Sequence, residues 1–205
     1  MKIIFDLDGT LIDSKKRLHE LFCDLVGSRK ISLNFYWDEK FKGKSNQEIL
    51  KSELNYKDID INFFVANWMK KIESNDYLSM DSPIDGVQKY LQEIGKYNQL
   101  YICTARQSVP QVINQLNNLS MLSFFQQIFV TEQKFTKAEL LIESGIIFDK
   151  DDWFVGDTGH DINTGKAVGI KTCAVLSGFM AESAIRAYQP DWVLPDVTGF
   201  LPPYC

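Results

Sequence analysis

Short apolar runs that end in small or acidic residues recur along the chain, and segments of helical period separate them. Lys2 to Phe5 runs into Asp6, Leu100 to Cys103 into Thr104, and Ile128 to Val130 into Thr131. Trp153 to Val155 likewise runs into Gly156-Asp157, and Thr172 to Leu176 into Ser177-Gly178. Runs this short and continuously apolar, each followed by loop-forming residues, predict strands buried on both faces. Between them, apolar residues return at helical spacing over Val87 to Ile94, Val109 to Leu119, Lys137 to Ser144, Ile162 to Val168 and Ala181 to Ala187. Strand alternating with helix predicts an α/β core, a parallel sheet with helices on both faces.

Residues 14–82 break this rhythm and read as all-helical. Leu18, Leu21, Phe22 and Leu25 fall on one helical face. Ser45 with Glu48 forms a capping box that opens a helix over Asn46 to Leu54, and Ile61 to Ile72 carries another apolar stripe. The simplest organisation is a core of residues 1–13 and 83–205 interrupted by a helical insert at 14–82. An insert at the carboxyl end of a strand stands beside the crevice where open α/β sheets bind ligands.

Composition narrows the function classes. The chain has 205 residues, 45% hydrophobic and 24% charged, an ordinary globular balance that excludes fibrous and disordered classes. Lys+Arg number 22 against Asp+Glu 27, a formal net charge of −5, which provides no general attraction to nucleic acid or to an anionic membrane surface. The most apolar stretch, Met121 to Val130, is interrupted by Ser123, Gln126 and Gln127 and falls short of the ~18 residues of a membrane span. The opening Met-Lys-Ile-Ile-Phe-Asp turns acidic too early for a secretion signal, and Cys23, Cys103, Cys173 and Cys205 are scattered without close pairs. A cytoplasmic protein, monomeric or homodimeric, is the expectation.

The sharpest chemistry lies in Asp6-Leu7-Asp8-Gly9-Thr10, directly after the first strand. In extended backbone, residues i and i+2 face the same way, so both carboxylates can enter the crevice. Two carboxylates brought together repel unless a cation or a shared proton relieves them; alone, the same string is also an Asp-Gly turn. Asp157, at the end of a later strand, is a hard oxygen ligand of the kind Mg²⁺ takes. Asp161 is placed either at that site or as a plain helix N-cap. Thr104 ends a strand where its hydroxyl and the following amides, beginning with Ala105, could bind an anion. Lys137 opens a helix after Thr136, with Lys134 as the rival cation three residues upstream, and either is a surface lysine by default.

Taken together and in this order, the motifs resemble those of the haloacid dehalogenase-like hydrolase superfamily, specifically its phosphoglycolate phosphatase-like group with a helical cap. Asp6-Leu7-Asp8-Gly9-Thr10 resembles its first motif, Thr104 its second, Lys137 its third, and Gly156-Asp157 with Asp161 its fourth. The resemblance covers the whole chain, with Ser177-Gly178-Phe179 through Leu194 similar to the group's final strand region. Two positions depart from it: Ala138 stands where Pro often follows the lysine, and Ala105-Arg106 where Asn often follows the threonine.

The resemblance implies a Rossmann-like core and a Mg²⁺-dependent phosphatase acting on a small-molecule phosphate monoester. Asp6 would be the nucleophile that forms an aspartyl-phosphate, and Asp8 the general acid and base. Mg²⁺ would be held by Asp6, Asp157 and the backbone carbonyl of Asp8. Thr104, Ala105 and Lys137 would hold the phosphoryl oxygens, with Asp161 pairing to Lys137 or to a metal-bound water. Lys44, between Gly43 and the Ser45 cap, and Arg106, beside Thr104, are candidate substrate contacts. A phosphomutase would use the same core. A non-catalytic phospho-accepting or interaction module fits less well, because receivers place their acidic pair on adjacent positions and have no helical insert.

Overall fold

The computed structural model describes residues 1–202, and Cys205 lies outside them. Strand β1 (Lys2–Phe5) forms where β-branched and aromatic residues run uninterrupted, and its side chains alternate into two separate apolar clusters. Ile3 and Phe5 pack on one face with Val87, Leu91, Leu116, Val155 and Phe200. Ile4 packs on the other with Tyr101, Cys103, Leu141 and Phe154. Apolar burial on both faces is what the unbroken pattern demanded.

β1 is central in a six-stranded sheet with β4 (Gln99–Thr104), β5 (Gln127–Val130), β6 (Trp153–Gly156), β7 (Lys171–Val175) and β8 (Trp192–Leu194), in the order β5-β4-β1-β6-β7-β8. All five pairings are parallel, with Phe5 opposite Ile102 on one side and Val155 on the other. The chain builds outward from β1 through β4 and β5, then returns to β6 on the opposite side. The strand order therefore reverses at β1, and the crevice expected at such a switch point opens at the carboxyl ends of β1, β4 and β6. Two further strands, β2 (Ile12–Asp13) and β3 (Ser82–Pro83), pair antiparallel as a separate ribbon. Each has two residues, too few for alternation to mark them in the sequence.

The chain divides into two compact units, Met1–Asp13 with Ser82–Cys205, and Ser14–Asp81. The second contains α1 (Lys15–Val26), α2 (Leu33–Phe41), α3 (Asn46–Leu54), α4 (Asp58–Lys71) and α5 (Asn75–Leu78). Its core is aromatic: Phe22 packs against Tyr36 at 5.0 Å and Phe64 at 5.6 Å between ring centroids. Arg17, 2% exposed, donates to Asp81 at 3.0 Å and to the Ile72 carbonyl at 3.1 Å, tying the beginning of this unit to its end. The predicted capping box at Ser45 and Glu48 is present.

Helices α6 (Val87–Ile94), α7 (Val109–Asn118), α8 (Lys137–Glu143), α9 (Gly159–Val168) and α10 (Glu182–Arg186) belong to the sheet unit. Among the described residues no helix is long and apolar enough to cross a membrane.

Candidate active site

Asp6 follows β1 directly, and its backbone N–H donates to the Val155 carbonyl at 2.9 Å, continuing the sheet by one residue. The chain then turns tightly: Gly9 sits at φ 79°, and the amides of Leu11 and Ile12 both donate to the Leu7 carbonyl. Leu7 is fully buried in the core while Asp6 and Asp8 face the crevice, the alternation expected of residues i and i+2.

Lys137 is the first residue of α8, a helix opened by a capping box between Thr136 and Glu139. Its Nζ donates to Asp6 Oδ1 and to Asp161 Oδ1, both at 2.6 Å, and the residue is 9% exposed. Lys134 is exposed at the surface, 3.7 Å from Glu132. The lysine in the crevice is thus Lys137.

Asp157 follows β6. Its Oδ2 accepts from the Phe179 amide at 2.7 Å, and the Thr10 hydroxyl donates to Oδ1 at 3.4 Å. The carboxylate lies so close to backbone that a Cβ on Gly178 would fall 1.9 Å from Oδ2, and one on Gly9 2.6 Å from it. Ser177 adds a hydrogen bond from its hydroxyl to the Gly9 carbonyl at 2.7 Å, joining the two loops around Asp157.

The sequence left Asp161 open as the N-cap of a helix starting at Ile162. The structure corrects that option: α9 starts at Gly159, Thr158 is the N-cap, and Asp161 is the third helical residue of a capping box. Its Oδ2 accepts from the Thr158 amide and hydroxyl at 3.0 and 2.6 Å, which leaves Oδ1 for Lys137. Capping and site geometry use the same side chain.

Asp6, Asp157 and Asp161, all buried, each bring a carboxylate oxygen within 4.8 Å of the others. Burial pushes Asp6 up to about 7, with Lys137 opposing and the Asp161 and Asp8 charges adding to the rise. Burial, then Asp6 and Asp161, raise Asp157 well above its usual range. Burial lowers the affinity of Lys137 for its proton, but Asp161 and Asp6 outweigh it and the lysine is held charged. Ionised together, the three buried carboxylates would outnumber the one buried cation in a poorly solvated place, and the raised values of Asp6 and Asp157 are the response. Hard oxygen donors at this spacing fit a divalent cation such as Mg²⁺.

The Asp8 carboxylate, which is not one of these three, is held by an arginine. Arg106 Nε donates to its Oδ2 at 2.5 Å and Nη2 to its Oδ1 at 2.8 Å. Thr104, 2% exposed, ends β4 beside it, and Ala105 is exposed. The loop after β5 grips this segment from the side. Thr131 N donates to the Thr104 carbonyl at 3.0 Å, Gln133 Nε2 to that of Ala105 at 2.5 Å, and Glu132 N to that of Arg106 at 3.0 Å.

Lys44 belongs to the helical unit. Its ammonium pairs with Glu39 and with Glu53, and donates to the Ser52 hydroxyl at 3.2 Å. Sequence reasoning placed Thr10, Gly178 and Phe179 within its motifs but gave them no individual role, and it did not single out Gln115 or Gln133.

Comparison with known proteins identifies the family and the fold. The family model for haloacid dehalogenase-like hydrolases matches residues 3–175. A pyrophosphatase, PpaX, of Bacillus mycoides is 26% identical over 98% of this chain and 94% of its own length. A haloacid dehalogenase-like family protein from Streptococcus pneumoniae has the same fold, with a TM-score of 0.75 at 22% identity over 95% of this chain and 93% of that one. So does a HAD-hydrolase from Bacillus subtilis bound to magnesium, with a TM-score of 0.64 at 18% identity over 96% and 94% of the two chains.

Proposed function

The chain belongs to the haloacid dehalogenase-like hydrolases, and we propose that it is a Mg²⁺-dependent phosphatase that hydrolyses a small-molecule phosphate monoester through an aspartyl-phosphate on Asp6. The observation that carries this reading is the meeting of Asp6, Asp157 and Asp161 around Lys137 at the carboxyl ends of the strands.

Asp6, Asp157 and the backbone carbonyl of Asp8 would hold Mg²⁺, which supplies charge neutralisation for the phosphoryl oxygens. The related Bacillus subtilis hydrolase is itself bound to magnesium. Lys137, the Thr104 hydroxyl and the Ala105 amide bind the phosphoryl oxygens and orient phosphorus toward Asp6. An Asp6 oxygen bonds to phosphorus as the bond to the leaving oxygen breaks, and Asp8 delivers a proton to that oxygen. Asp8 then takes a proton from water, whose oxygen attacks phosphorus, releasing phosphate and restoring the Asp6 carboxylate. Asp161 holds Lys137 charged and in place throughout.

A second reading is favoured by the PpaX likeness over nearly the whole chain: a phosphoanhydride, inorganic pyrophosphate, in place of the ester. Purified protein is assayed with and without Mg²⁺ against alkyl phosphates, an aryl phosphate and pyrophosphate. We expect phosphate release that requires Mg²⁺ and is abolished by Asp6→Asn. Release from pyrophosphate alone selects the second reading, and release from none of them overturns both.

A further inference from the structure

Arg106 is 5% exposed, and its guanidinium is held in place rather than extended into the crevice. Two donors fork onto both oxygens of Asp8, at 2.5 and 2.8 Å, and Nη2 also donates to Gln115 Oε1 at 3.1 Å. Gln115 lies on α7, is 6% exposed, and shares that helix with Val112 and Leu116 of the core. A planar guanidinium with a bidentate partner on one side and a second acceptor behind it has little rotational freedom.

The backbone carrying this side chain is fixed as well. The carbonyls of Thr104, Ala105 and Arg106 accept in turn from Thr131, Gln133 and Glu132. Glu132 and Gln133 adopt φ 50° and 58°, left-handed conformations that non-glycine residues seldom take. Backbone strain of this kind persists where the surroundings over-determine it, commonly at functional sites. Here it aims one amide and one side-chain amide at consecutive carbonyls of the β4 loop.

We propose that Arg106, backed by Gln115 and by the Glu132-Gln133 clamp, is a positioning residue that sets the Asp8 carboxylate for proton transfer. Its function is orientation of a catalytic side chain and not recognition of the substrate anion. The proposal rests on the phosphatase reading and adds a route from the core helix α7 to the acid–base group.

The two roles separate in steady-state kinetics, because a lost substrate contact raises KM and a displaced acid–base group lowers kcat. The full chain is assayed with Mg²⁺ on the best substrate of the panel. For Gln115→Leu, which leaves Arg106 in place but removes its backing, we expect kcat to fall about 5-fold or more with KM within 2-fold. For Arg106→Ala the same pattern should be deeper, about 100-fold, with partial rescue by Arg106→Lys or by added guanidinium. A melting-temperature cycle of Asp8→Asn with Arg106→Lys should show coupling, and it reads the contact without turnover. A rise in KM with kcat unchanged for both Arg106 variants would overturn the assignment while sparing the phosphatase reading. So would additive melting shifts. Wild-type protein inactive on every substrate removes both.

Discussion

Replacing Lys137 with Met tests the electrostatic account of the site most directly. Met keeps most of the aliphatic stem, so the change is chiefly loss of the ammonium, which bridges Asp6 and Asp161 at 2.6 Å each. All three residues are buried, so the carboxylates left behind are poorly solvated and water replaces the lost partner only in part. Removing one member of a buried ion pair costs about 3 to 5 kcal/mol. At about 2 to 4 °C per kcal/mol for a chain of this size, the melting temperature should fall by on the order of 10 °C.

The sign with pH follows from Asp6. Its value in the folded protein is already raised from 3.8 to about 7, and loss of the lysine raises it further. At pH 8 the variant must either bury an ionised, unpaired Asp6 or bind a proton that the unfolded chain has already lost; at pH 5 Asp6 is neutral with or without the lysine. The penalty should therefore be largest at pH 8 and shrink at pH 5, measured by urea unfolding of metal-free protein. Adding Asp161→Asn should recover part of the loss, since one of the repelling charges goes with it. A penalty below about 1 kcal/mol at pH 8, within the range of an exposed pair, would refute the reasoning. So would a penalty that grows on acidification.

Two other outcomes follow from the same geometry. In metal-free wild-type protein, the raised Asp6 contributes stability that is full below its unfolded value of 3.8 and is lost as pH rises through about 7. Mg²⁺ should then raise the melting temperature at pH 8 much more than at pH 5, where protons compete for the ligands; equal shifts at both values would contradict this. Gly178→Ala would set a Cβ 1.9 Å from Asp157 Oδ2, forcing that carboxylate to move. Calorimetry should show Mg²⁺ affinity reduced by about 10-fold or more, and an unchanged affinity would mean that Asp157 does not need its present position.

Much of the fold was legible because its strands are buried on both faces. Such strands must be apolar throughout, and their ends must change character abruptly, which a one-dimensional pattern displays. The ladders at β1, β4, β5, β6 and β7 begin and end within a residue or so of the predicted runs. The helices between Lys15 and Leu78 were legible for a different reason: helical period is local, and Ser45 with Glu48 signals a helix start by itself. β2 and β3 were not, because two-residue strands are defined only by what they pair with.

The candidate site divides along the same line. Asp6 and Asp8 were readable because two-residue alternation is a property of extended backbone, and Asp157 and Lys137 because each stands at the end of one element or the start of another. The sequence by itself thus determined which chemical groups gather at the sheet's carboxyl edge. Only the tertiary structure decided how they pair. Residues 131 positions apart meet in the Lys137–Asp6 contact, and residues 98 apart in Arg106–Asp8. Which of two lysines turns inward, and that the arginine two residues after Thr104 pairs with Asp8, depends on burial and on the distances between loops from different strands. Those quantities arise from packing and leave no periodic trace along the chain.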